Sequence, residues 1–149
     1  MSTQKPTLVA INHDEYEAKY VGRLADGRQF FCTNPFVPGG AGPGSGEFLA
    51  LYLFSPEGRL LEARIESYGV RSKEQESRCR ADTQTWLASL GEIEFGRIEI
   101  QPFSVERFGV EFGLIASPPD DDADYWLVRA QPGDYMAFYE PWDSGEYDT

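Results

Sequence analysis

The nine residues from Glu47 to Ser55, EFLALYLFS, constrain the fold more than any other stretch of the chain. Read as a strand, they put Phe48, Ala50, Tyr52 and Phe54 on one face and Leu49, Leu51 and Leu53 on the other. An extended segment that is apolar on both faces is stable only as a central strand covered from both sides. The rest of the chain must therefore supply two covers.

One cover is a helix. From Ser72 to Gly91 the residues Cys79, Thr83, Trp86, Leu87 and Leu90 recur at the spacing of one helical stripe. Ser72 with Gln75 three residues on fits a capping box, and Gly91 suits a left-handed stop. The periodicity predicts one principal helix over about residues 72–90.

The remaining signals are those of strands. A short strand is expected within Thr7–Ile11, inside an otherwise loose lead-in over residues 1–13. Asp26-Gly27, between two extended runs, predicts a type I′ hairpin turn. PEGR predicts a second turn, followed by a strand over Leu60–Ser67 with Leu61, Ala63 and Ile65 inward and Glu62, Arg64 and Glu66 outward. The apolar phase flips across Gly96, from Ile93 and Phe95 to Ile98 and Ile100, which predicts a bulge or a break. Phe108, Val110, Phe112 and Leu114 alternate with Arg107, Gly109, Glu111 and Gly113 as if on one strand. The small second face suits a twisted or edge strand, or the close approach of a backbone or ligand. A final hairpin-like pair follows, and residues 143–149 read as a mobile tail. The order of elements predicts a single α+β domain over residues 1–149: one strongly curved, mainly antiparallel sheet of about six to eight strands with one principal helix.

Charge narrows the function. Twenty-five acids against 13 bases leave a net charge of −12 in 149 residues. Such a surface repels nucleic acid and anionic headgroups, because binding either needs cations that displace counterions. A basic protein partner is compatible with it. No apolar run is long enough to span a bilayer, and residues 1–15 lack the apolar core of a secretory leader, so the expected location is the cytoplasm. Cys32 and Cys79 are then expected to be reduced, buried thiols.

Motifs for catalysis are weak. The glycine-rich stretch around Gly39, Gly40, Gly42, Gly44 and Gly46 invites comparison with phosphate-binding loops. Ser45 stands where a Walker loop needs lysine, no register satisfies the dinucleotide fingerprint, and no Lys or Arg occurs between Arg28 and Arg59. It reads as a connection between strands, or as a lid over a cleft. His13, the single histidine, lies beside Asp14 and Glu15 and reads as a solvated loop residue. The acidic run Asp120, Asp121, Asp122, Asp124 begins like a calcium loop but has Tyr125 and Gln131 where glycine and glutamate belong. No metal and no cofactor are expected.

The end of the chain is more distinctive. Nine acids face one base, Arg129, between Pro118 and Thr149, interleaved with Tyr135, Phe138, Tyr139, Trp142 and Tyr147. One reading makes these aromatics an ordinary last strand, with Trp142 pinning the chain end. The other makes Tyr139, Trp142, Asp143, Glu146 and Tyr147 a docking surface for a basic protein, since rings give contact area and carboxylates complement Lys and Arg. The expected function is such binding, with the charge and size profile of a bacterial immunity protein or an inhibitor. The alternative is a carboxylate-dependent hydrolase or small-ligand binder, sited in the concave face of the sheet under the loop 39–46.

Overall fold

The computed structural model describes residues 5–38, 45–70, 72–121 and 124–142. Its elements are β1 (Val9–Ile11), β2 (Tyr20–Leu24), β3 (Gln29–Thr33), β4 (Phe36–Val37), β5 (Gly46–Phe54), β6 (Leu60–Gly69), α1 (Lys73–Ala88), β7 (Ile93–Phe95), β8 (Ile98–Ile100), β9 (Phe103–Arg107), β10 (Val110–Ser117), β11 (Leu127–Gln131) and β12 (Ala137–Phe138). All pairings among the described residues are antiparallel.

The class is α+β, but the strands form several sheets rather than the one strongly curved sheet expected. A six-stranded sheet has β5 at its centre, with β6 on one side and β3, β2 and β7 on the other. β3 and β4 occupy one lane: Thr33 opposes Ala50 and Phe36 opposes Glu47 in the same register. A four-stranded sheet runs β9, β10, β11, β12, and β1 pairs with β8 in a two-stranded sheet.

β5 is buried at every residue, as its double apolar pattern requires. Phe48, Ala50, Tyr52 and Phe54 pack with Phe103, Phe112, Leu114, Val128 and Phe138 of the four-stranded sheet. Leu49, Leu51 and Leu53 pack with Cys79, Trp86 and Leu87 of α1. The molecule is thus three layers, helix on sheet on sheet. Its sheet–sheet core is rich in rings, with Tyr52 and Phe103 edge to face at 4.6 Å. β1 and β8 contribute Val9, Ile11, Ile98 and Ile100 to the same core. Within the expected lead-in, Val9 to Ile11 is therefore a buried strand.

The helix starts as its sequence dictates, with the Ser72 hydroxyl accepting from the Gln75 amide at 3.2 Å. It is fixed on the sheet by the Arg64 guanidinium, 4.1 Å from the Trp86 ring, and by the Tyr68 hydroxyl, which donates to Asp82 at 2.6 Å.

Several local expectations change. The turn at Asp26-Gly27 has three residues: Leu24 pairs with Arg28, and only Gly27 has a positive φ, 91°. Asp26 accepts from the Arg28 amide, which favours this form over type I′. The stretch read as one strand through Phe108 and Gly109 is a hairpin, with Val110 opposite Arg107 and positive φ at both turn residues (57° and 73°). A phenylalanine in a type I′ turn gives no compositional warning. In β6 an irregularity opposite Leu53 and Phe54 shifts the phase, so Leu61 is exposed while Leu60, Ala63 and Ile65 pack on the core. Gly96 marks the point where the chain leaves one sheet for another.

Candidate functional site

Among the described residues, one face of the six-stranded sheet packs on the four-stranded sheet and the other carries α1. Two other features remain: the outer face of the four-stranded sheet, and a cleft between α1 and the sheet.

The outer face follows from strand alternation. In β11, Val128 and Ala130 point to the core, so Leu127, Arg129 and Gln131 point away. Val128 opposes Phe138, and continuing that register sets Tyr139 beside Leu127. Ile115 opposes Arg129, which adds Ile115 to the same face. Tyr125 and Tyr139 are exposed and their rings lie 6.1 Å apart. That contact ties the acidic segment Asp120, Asp121, Asp124 to the end of β12 and Glu140, all of these acids being exposed. Ile115 and Leu127 are half-buried.

Trp142 is half-buried and packs on the sheet–sheet core. Its carbonyl accepts from the Ala10 amide at 2.8 Å and its amide donates to the Tyr139 carbonyl at 3.1 Å. These bonds join Trp142 to β1 and to Tyr139. Asp143, Glu146 and Tyr147 lie outside the described residues. Tyr125 was missed from the sequence; the available signal was a tyrosine closing an acidic run.

The cleft is lined by Lys19, Tyr20, Asn34, Glu47 and, from α1, Glu76, Cys79, Arg80 and Thr83, and encloses about 460 Å³. The four helix residues follow the i, i+3, i+4, i+7 spacing of one face. A neighbouring cavity of about 360 Å³ shares Lys19, Tyr20, Asn34 and Thr83 and reaches Glu17 and Cys32. Glu47 is a carboxylate at 2% exposure at the start of an otherwise apolar strand, a signal present in the sequence. Burial pushes the Cys32 thiol up to about 12 and the Cys79 thiol up to about 11, so both stay protonated and unreactive near neutrality. Burial, reinforced by Asp14, also raises Glu17 above its ordinary value.

Gly39, Gly40, Gly42 and Gly44 lie outside the described residues. Gly46 is the first residue of β5 and stands opposite Val37 of β4. His13 stacks on the Phe95 ring at 5.2 Å. Among the described residues, no group of three or more His, Cys, Asp or Glu could hold a metal ion, and no helix is long and apolar enough to cross a membrane. Comparison with protein-family models, curated proteins and solved structures finds no match to this chain.

Proposed function

We propose that the protein is a binding module that docks a basic protein partner on the outer face of its four-stranded sheet. The observation that carries this reading is the exposed Tyr125–Tyr139 pair, with the exposed acids Asp124 and Glu140 next to these tyrosines in the chain, on a face that holds half-buried Ile115 and Leu127 and the base Arg129. An apolar centre with rings and a charged rim is the usual anatomy of a protein contact. The inner face of this sheet packs on the six-stranded sheet, whose other face carries α1. Trp142 supports the surface from behind, and the contacts belong to the tyrosines and acids.

Capture from cell extract at low and at high salt, with elution identified by mass spectrometry, tests the reading. A basic protein is expected to be retained at low salt, released at high salt, and lost with Tyr125→Ala/Tyr139→Ala. Retention unaffected by that double variant, with its melting curve intact, counts against this face. Salt-independent retention counts against a basic partner.

A second reading rests on the cleft beside α1, where Glu47 and Glu76 line one cavity with Lys19 and Arg80. A polar small molecule bound there would raise the melting temperature of the wild type and not of Glu76→Gln/Arg80→Gln.

A further inference from the structure

β6 is an edge strand of ten residues, paired with β5 on one side and, among the described residues, with no strand on the other. Long edges are commonly blocked by proline, bulges or charged side chains, lysine above all, and β6 carries Glu62, Arg64 and Glu66, whose signs alternate. From Leu60 to Gly69 there is no proline and no lysine. The irregularities in its pairing fall near the two ends and leave Glu62–Ser67 regular.

The direction of its backbone groups follows from its neighbours. The Phe48 amide donates to the Pro35 carbonyl at 2.9 Å, so Phe48, and with it Ala50 and Tyr52, faces the β3–β4 lane. Leu49, Leu51 and Leu53 then face β6, where they oppose Glu66, Arg64 and Glu62. The backbone groups of Ala63, Ile65 and Ser67 are left pointing outward from the sheet. Side chains on this stretch alternate Glu62, Arg64, Glu66 on the helix side, all exposed, with Ala63 and Ile65 on the core side.

We propose that two copies of the chain pair through this edge, antiparallel about Ile65. A two-fold axis at Ile65 sets Arg64 of each copy opposite Glu66 of the other and Ala63 opposite Ser67. Outward-facing backbone groups meet at Ile65 and at the Ala63–Ser67 pairs, and every one of these residues lies in the regular stretch. The register one residue back, about Arg64, would set Arg64 against Arg64 and Glu62 against Glu66. Charge therefore selects the Ile65 axis over it, since like charges directly opposite are destabilising and unlike ones contribute. The interface is self-complementary and closes, as a two-fold contact must. It joins two six-stranded sheets into one. Repulsion between two chains of net charge −12 is screened beyond about 8 Å at physiological ionic strength, whereas the facing pairs lie closer than that.

Sedimentation velocity of the whole chain over a range of concentrations tests the pairing. The expected result is a dimer that dissociates on dilution. Glu66→Arg sets arginine against Arg64 at an exposed position and keeps the Arg64–Trp86 stack, so the monomer should melt as the wild type does. Its dimer dissociation constant should rise on the order of tenfold, two attractive pairs becoming two repulsive ones. Glu66→Gln, which removes the attraction without adding repulsion, should weaken the dimer less than Glu66→Arg does. A monomer at every concentration overturns the proposal, as does a dimer indifferent to Glu66→Arg. Partner capture through the tyrosine face is untouched by any of these results.

Discussion

A Cβ placed on Gly46 would lie 1.9 Å from the Gly69 carbonyl oxygen, and the residue has a φ of +98°. Both the space and the backbone angle exclude a side chain, so Gly46→Ala is expected to cost roughly 3 kcal/mol. Gly91 has a φ of +81° but nothing within 4 Å of its added Cβ, so Gly91→Ala carries only the left-handed penalty, about 1 kcal/mol. Denaturant midpoints of the two variants check the contrast. Glu17 tests a titration. Its folded pKa is raised, so the native state holds its proton to higher pH than the unfolded chain does. Stability is then lost as pH rises through that window, and ionised Glu17 is a burden above it. Glu17→Gln should melt above the wild type at neutral pH, and the difference should close below the ordinary glutamate value of 4.5. Thermal scans at the two pH values would show it.

Among the elements, β8 is held by a side chain acting as a strand. The Gln29 side chain is fully buried; its amide nitrogen donates to the Glu99 carbonyl at 2.9 Å and its oxygen accepts from the Glu99 amide at 2.7 Å. Gln29→Leu leaves both Glu99 backbone groups without their partner. The expected cost is roughly 3 kcal/mol, with amide exchange at Glu99 accelerating before that of β5. Elements were legible where a segment's own pattern decided its state: β5 from its double apolar face, α1 from its stripe and Ser72 cap, the hairpins from Gly27 and Gly58. They were illegible where tertiary contacts decided. Phe108 sits in a turn that its alternating neighbours disguise, and Leu61 is expelled by a shift in pairing that no composition signals. The division into separate sheets was hidden for the same reason, because nothing local tells Ile98 to pair with Ile11. Of the candidate surface, Tyr139 was visible, whereas Tyr125 needed the fold to bring it alongside.

On the scale of the whole molecule, 25 acids and 13 bases in one small domain repel one another. Screening relieves that strain, so the melting temperature should rise as sodium chloride is added at fixed pH. A scanning calorimetry series checks this, and its sign is opposite to that expected for partner docking. The order of strands has a consequence in time. β1 finds its ladder partner at Ile98–Ile100 and a further bond at the Trp142 carbonyl. A ribosome delivers Val9 to Ile11 long before either. During synthesis this apolar triplet waits unpaired while β2, β3 and β5 already have neighbours to zip with, and such distant closures are the slow ones. The first of the described strands is thus among the last to be seated.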